Sequence, residues 1–102
     1  MSTSTAMNKM GMRKEARQFI YDYKSANPCV DCGESDVVVL TLDHVRGVKS
    51  GNISDLVRVG ASIALLKKEL LKCEVRCCNC HARRTALQFG WYKDMDKSLD
   101  SK

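Results

Sequence analysis

Four of the six cysteines form two pairs with Cys-x-x-Cys spacing, Cys29 with Cys32 and Cys77 with Cys80. Two cysteines at this spacing in a tight turn can direct both thiolates at one ion, and two such turns complete the tetrahedron that Zn²⁺ prefers. The alternative is that they are buried thiols acting as small hydrophobic residues, which does not explain the matched pairs. The sequence therefore predicts one structural zinc site.

A second set of reactive side chains consists of Asp43, His44 and His81. Forty-four residues separate Cys32 from Cys77, and zinc binding would bring the two ends of this interval together, so His44 and His81 are predicted to be neighbours. A carboxylate and an imidazole can bind a divalent cation and leave positions open for water and phosphate. A second imidazole can accept a proton from an attacking water. Together these groups suit metal-assisted hydrolysis of a phosphodiester.

Each of these residues also has a simpler interpretation. His44 can be a packed residue at the end of a strand, and His81 can replace a cysteine as a zinc ligand. Cys73 and Cys78 lie outside the two pairs and are predicted to be spare or packed thiols, because the use of Cys73 in place of Cys77 would break the spacing.

Composition restricts the class of protein. A chain of 102 residues is long enough for one domain, and its net charge of +5 is compatible with a polyanionic partner. The N-terminus lacks the apolar core of a signal peptide, and no stretch is long enough to span a bilayer. We therefore expect a cytoplasmic protein whose thiols bind metal and do not form disulfides.

The sequence around the reactive residues predicts the elements that carry them. Apolar residues at helical spacing predict a helix over residues 12–26, which ends before Pro28. Residues 37–45 are rich in β-branched side chains and are predicted to form a strand, with which the short segment 74–76 can pair.

Two short helices are predicted between these strands, separated at Gly60 and capped by Asn52 or Ser54 and by Ser62. A final helix is predicted over residues 81–92. The domain is expected to span residues 12–93, with flexible tails at 1–11 and 94–102.

Three segments together resemble the HNH endonucleases, and most closely the small zinc-knuckle HNH proteins of bacteriophages. They are Cys29-x-x-Cys32, Leu42-Asp43-His44-Val45 and Val75-Arg76-Cys77-x-x-Cys80-His81-x-x-Arg84-Thr85. The resemblance covers about residues 28–88. At the place where the family usually has its middle Asn, this chain has Lys72; the nearest asparagines are Asn52 and Asn79.

The resemblance implies an α+β fold, a small zinc-stabilised ββα-metal domain with an N-terminal helix and inserted short helices. It implies that His44 is the general base, that Asp43 and His81 bind one catalytic cation (Mg²⁺, Mn²⁺ or Ni²⁺), and that the four paired cysteines bind the structural Zn²⁺. The implied function is a metal-dependent DNA endonuclease that nicks or cuts with little sequence preference. At family level it also suggests a bacterial or phage-infected host cell and phage packaging proteins as partners. No membrane association is expected, and a monomer or weak dimer is predicted.

Four basic residues are predicted to contact DNA phosphates. Arg84 lies one helical turn after His81, and Arg83, Arg46 and Lys49 could contact neighbouring phosphates. Two other functions stay open: a non-catalytic, zinc-stabilised nucleic-acid-binding module, and a protein-interaction module whose basic face meets an acidic partner. Neither of these requires the set of Asp43, His44 and His81.

Overall fold

The computed structural model describes residues 4–95, with side chains from residue 11 onward. The elements are α1 (Ser4–Ala26), a 3₁₀ turn (Val37–Val39), β1 (Leu40–His44), α2 (Ile53–Arg58), α3 (Ile63–Leu70), β2 (Cys73–Cys77) and α4 (Cys78–Phe89). The protein is thus a small mixed α+β chain. No helix among residues 4–95 combines the length and the apolar character that a membrane span requires.

The first helix ends at Ala26, as the sequence predicted, but it begins at Ser4 instead of residue 12. The added segment contains good helix formers such as Met7, Lys9 and Met10, so residues 4–11, expected in a flexible tail, continue the helix. Residues 1–3 and 96–102 of the predicted tails lie outside the described residues.

The two strands form an antiparallel sheet in which Leu40 pairs with Cys77 and His44 with Cys73. The predicted pairing is confirmed, with one more residue at each end of the second strand. The prediction of strand for residues 37–39 was wrong. There the Asp36 side chain accepts a hydrogen bond from the Val38 amide at 3.0 Å, and this cap favours a 3₁₀ turn.

The inserted helices begin at the predicted positions. Asn52 occupies the N-cap position of α2, but its side chain makes no capping hydrogen bond, and Gly60 follows the end of the helix with φ of +73°. The Ser62 hydroxyl accepts a hydrogen bond from the Leu65 amide and caps α3. α4 begins at Cys78, three residues earlier than predicted, because the sulfur of Cys77 accepts a hydrogen bond from the amide of Cys80 and acts as the cap.

Two apolar clusters hold the elements together. One packs α1 against α2, α3 and the start of β2, and its buried members are Ala16, Ile20, Ile53, Leu66, Leu70 and Cys73. The other surrounds the paired cysteines, and its buried members are Cys29, Leu40, Val75, Cys77 and Cys80. The strands lie between the two clusters, so residues at the end of β1 can reach both the helical unit and the cysteine unit.

Candidate functional site

The two Cys-x-x-Cys pairs come together as predicted. The sulfur atoms of Cys29, Cys32, Cys77 and Cys80 all lie within 4.8 Å of one another, and those of Cys32 and Cys77 are 3.7 Å apart. A zinc tetrahedron with Zn–S bonds of about 2.3 Å has S–S edges of about 3.8 Å. The donor set and its spacing therefore fit one structural Zn²⁺.

Backbone hydrogen bonds shape the first turn of this cluster. The Gly33 amide donates to the Cys29 carbonyl at 2.9 Å, and Gly33 has φ of +81°, which a residue with a side chain rarely adopts. The Val30 amide donates to the Val75 carbonyl and ties the turn to β2. Burial acts to raise the pKa of Cys29, but hydrogen bonds from backbone groups outweigh it and lower the pKa to about 6. These backbone groups favour the thiolate of Cys29, the form that binds zinc, whereas the hydrogen bond with Cys77 raises the pKa of Cys80 to about 12.

The other cysteines lie outside the cluster, as predicted. Cys78 is exposed, and Cys73 is buried in the helical core with its thiol directed at the Glu69 carbonyl. Burial, together with the charges of Glu69 and Asp43, raises the pKa of Cys73 to about 11, so its thiol stays protonated. The four-cysteine set also does not include His81, whose imidazole faces Asp43 instead.

Asp43 is buried between the sheet and α4. Its Oδ2 atom accepts hydrogen bonds from Arg76 at 2.7 Å and from Arg84 at 3.2 Å, and its Oδ1 atom lies 3.6 Å from Nε2 of His81. One carboxylate oxygen is thus held by two guanidinium groups, while the other faces an imidazole.

Arg76 connects this carboxylate to the zinc cluster. Its guanidinium is buried and also pairs with Asp31, at 2.6 Å, and with Glu74, at 2.9 Å. Asp31 lies inside the first Cys-x-x-Cys turn, and the hydrogen bond from Arg76 holds the pKa of its carboxyl below the usual value. The sequence analysis did not single out Arg76, since only the folded sheet shows that its charge is buried among three acids.

His44 makes a contact that sequence reasoning missed. Its Nε2 atom lies 2.8 Å from Oε2 of Glu69, which is 1% exposed. Glu69 follows Leu66 by three residues and precedes Leu70, so it occupies the inward stripe of α3. The sequence signal that could have predicted this contact was an acidic residue on an apolar stripe, because a buried carboxylate requires hydrogen-bond partners.

Glu69 is an anchored carboxylate. It also accepts hydrogen bonds from Lys72 at 3.0 Å and from the Ser50 amide at 3.1 Å. Burial acts to raise its pKa, but Lys72, the Ser50 amide and His44 together lower it to about 2. Glu69 is therefore ionised at neutral pH and can only accept hydrogen bonds.

Lys72 fixes the loop after β1. Besides Glu69, its ammonium donates to the Val48 carbonyl at 2.6 Å and the Ser50 hydroxyl at 3.0 Å. Lys72 thereby joins this loop, the end of α3 and the partner of His44 in one hydrogen-bonded unit.

Asp43, His44 and His81 line one open groove of about 1330 Å³. The groove runs between α1 and the end of β1. Its lining contains six lysines and arginines and a single carboxylate, that of Asp43, so its potential favours an anionic ligand.

The four predicted phosphate contacts occupy different places. Lys49 lines the groove, whereas Arg84 is not part of the lining and pairs with Asp43, which is. Arg83 is exposed on α4. Arg46 donates to the Leu71 carbonyl at 2.7 Å, so its guanidinium is bonded to the C-terminal end of α3.

No protein-family model, curated protein or solved structure matches the chain. The fold and the site therefore describe the class of protein: it is a small α+β protein with a two-stranded antiparallel sheet and a four-cysteine cluster that could bind zinc.

Proposed function

We propose that the protein is a metal-dependent DNA endonuclease of the HNH type, with a ββα-metal site built from β1, β2 and α4. It would hydrolyse phosphodiester bonds with low sequence preference. The observation that carries the proposal is that Asp43, His44 and His81 line one basic groove, with the ring of His44 held by a buried carboxylate.

The contact with Glu69 suits His44 for the part of general base. Because the ionised carboxylate can only accept a hydrogen bond, Nε2 of His44 carries the proton of the neutral ring. Nδ1 then keeps its lone pair and is the atom that can take a proton from water. Glu69 both fixes the ring and selects this tautomer.

Asp43 and His81 are the proposed ligands of the catalytic cation. The 3.6 Å between Oδ1 and Nε2 lies within the span that two metal–ligand bonds of about 2.1 Å allow. Two protein donors form an open site, with the remaining positions left to water and phosphate. When bound, a divalent cation supplies positive charge at the scissile phosphate.

The chain's own residues then account for the rest of the reaction. The water oxygen bonds to phosphorus as its proton passes to Nδ1 of His44, the bond from phosphorus to the leaving sugar oxygen breaks, and that oxygen takes a proton from solvent water. The guanidinium of Arg84, which is partly exposed beside Asp43, offsets the negative charge of the phosphate.

A non-catalytic nucleic-acid-binding module is the second candidate. One observation favours it: Oδ2 of Asp43 is already paired with Arg76 and Arg84, as expected for a carboxylate with a purely structural function. In that case the groove would bind DNA, and the two histidines would contribute only packing and hydrogen bonds.

Plasmid nicking separates the two candidates. Zinc-loaded protein is incubated with supercoiled plasmid, with and without added Mg²⁺, Mn²⁺ or Ni²⁺. Omission of the added cation is a better control than a chelator, which can also remove the structural zinc. Cation-dependent nicking that is lost in His44→Ala supports the nuclease, whereas DNA binding without nicking under any of these cations supports the binding module.

A further inference from the structure

One wall of the groove is formed by α1, outside the segments that resemble HNH proteins. Arg13, Arg17 and Lys24 line the groove from this helix. They are separated by four and seven residues, which at about 100° per residue places them within roughly 40° of one another around the helix axis. The three cations therefore form a single stripe.

This stripe borders the buried side of the helix. Ala16 and Ile20, which pack α1 onto the rest of the protein, are buried beside it, so the cations are held at the groove by a packed helix. Among residues 11–95, the ion pairs do not involve Arg13, Arg17 or Lys24. Burial lowers the pKa of Lys24, as expected for an ammonium group partly removed from water.

We propose that α1 is the second wall of a nucleic-acid groove and binds the sugar–phosphate backbone of DNA through Arg13, Arg17 and Lys24. The inference rests on the proposed function for the identity of the polymer. It assigns DNA binding to a helix that contains none of the motif residues and none of the four predicted phosphate contacts.

The length of the stripe fits a run of phosphates. From Arg13 to Lys24 the helix rises by roughly 16 Å, which corresponds to about five nucleotides of one strand at 3.4 Å each. A backbone held along this wall lies in the same groove as Asp43, His44 and His81. The stripe would therefore position the strand for cleavage without reading its sequence.

Tyr21 adds an aromatic surface to the same wall. It lines the groove and is 56% exposed, and it lies between Arg17 and Lys24 in the sequence. Basic side chains interleaved with an aromatic ring are typical of surfaces that bind the backbone and stack a sugar or an unpaired base.

The test compares two triple variants of equal charge change. The first is Arg13→Gln, Arg17→Gln and Lys24→Gln; the control is Lys67→Gln, Lys68→Gln and Lys93→Gln, whose lysines are exposed and outside the groove lining. Binding to a fluorescein-labelled 30-base-pair duplex is followed by anisotropy from 50 to 300 mM NaCl, without added Mg²⁺. Zinc content and circular dichroism verify the fold of each variant.

The groove variant should show a slope of log K against log salt smaller by about 2.7 than that of the unchanged protein, since each phosphate contact contributes about 0.9. The control should keep the original slope. The charge-preserving variant Arg13→Lys, Arg17→Lys and Lys24→Arg should restore it, which separates charge from any effect on folding. Equal slopes for the groove variant, the control and the unchanged protein would overturn the proposal.

Plasmid nicking by the same proteins distinguishes this proposal from the proposed catalysis. Nicking by the unchanged protein together with equal slopes would contradict only the assignment of α1. If the groove variant has a reduced slope and the unchanged protein does not nick the plasmid, the result would support α1 as a DNA-binding wall and contradict the nuclease. An unchanged protein that does not bind the duplex would overturn both.

Discussion

Nε2 of His44 lies 2.8 Å from Oε2 of Glu69, and this contact joins the end of β1 to the buried side of α3. The carboxylate is itself anchored by Lys72 and by the Ser50 amide. The ring of His44 is therefore oriented by two segments of the chain, residues 69–72 at the end of α3 and the loop at Ser50. Glu69 is a positioning residue in this account, since it acts through His44.

Replacement of Glu69 by Gln should reduce plasmid nicking on the order of 100-fold, because the amide holds the imidazole less firmly and no longer selects its tautomer. DNA affinity should change little, since Glu69 is buried and does not line the groove. Nicking rates and duplex affinity measured on the same preparation check this. Glu15→Gln, at an exposed position of α1, is the matched control, and equal nicking by both variants would show that Glu69 does not position the base.

The low pKa of Glu69 predicts how stability depends on pH. Its pKa falls from an ordinary value of 4.5 to about 2 on folding, so the ionised form stabilises the folded state. This stabilisation is complete at pH values above the pKa of Glu69 in the unfolded chain. It is lost as the pH falls towards the pKa of Glu69 in the folded protein. The difference in free energy of unfolding between the unchanged protein and Glu69→Gln should therefore shrink between pH 6 and pH 4.

Urea unfolding of both proteins at each pH measures this difference. Zinc content determined in parallel is the control, because acid also releases thiolate-bound metal from both proteins. A stability difference that stays constant or grows between pH 6 and pH 4 would contradict the ionised, anchored state of Glu69.

The zinc assignment predicts different outcomes for cysteines inside the cluster and for Cys78, which lies outside it. Cys32→Ser or Cys80→Ser should lose bound zinc and most native structure, because each removes one of the four ligands at the centre of the second apolar cluster. Cys78→Ser should keep both, since Cys78 is exposed and outside the cluster. Metal analysis and thermal melting compare the three, and a stable, zinc-free Cys80→Ser protein would refute a structural zinc site.

Residue type and spacing were sufficient to predict the cysteine cluster, because four thiols in two tight turns have few other arrangements in a small chain. Strand pairing also followed from local pattern, apart from residues 37–39, where the Asp36 cap outweighs β propensity. Glu69 and Arg76 were missed because their importance depends on partners 25 and 33 residues away in the sequence. An acidic residue on the inward stripe of α3 was the local sign that such a partner exists.

The start of the first helix shows a second limit. The polar segment before Met12 contains good helix formers, but its polarity suggested a tail, because it lacks the amphipathic pattern that predicts a helix. The position of α1 against the groove likewise depends on packing between α1, α2 and α3. No local feature of the basic residues on α1 indicated that they share a groove with His44.

Arg84 should contribute one phosphate contact. Arg84→Ala is expected to reduce the salt dependence of duplex binding by about one unit of slope, while Arg76 continues to hold Asp43. Lys67→Ala, a charge removal on α3 away from the groove lining, is the control and should leave the slope unchanged. Salt titrations of duplex binding by anisotropy test this, and equal slopes for both variants would place Arg84 outside the binding face.

His81 is expected to affect plasmid nicking because it binds the catalytic cation. His81→Ala is expected to keep its structural zinc, because the four-cysteine set does not include His81. Its nicking should be weak at low Mg²⁺ or Mn²⁺ and should rise as either cation is increased, since one of two protein ligands remains. Loss of zinc from this variant, with no recovery at high Mg²⁺, would instead identify His81 as a structural zinc ligand.

The most direct test of the central claim is the rate of plasmid nicking by His44→Ala at saturating Mg²⁺ or Mn²⁺. A general base contributes on the order of a hundred- to ten-thousand-fold in rate, so nicking should fall by that factor while zinc content, circular dichroism and duplex affinity stay close to those of the unchanged protein, and the melting temperature falls only as far as the loss of one hydrogen bond to Glu69 requires. Nicking at the original rate, with only a loss of stability, would contradict the assignment of His44 as the base and show it to be a packed residue at the end of β1.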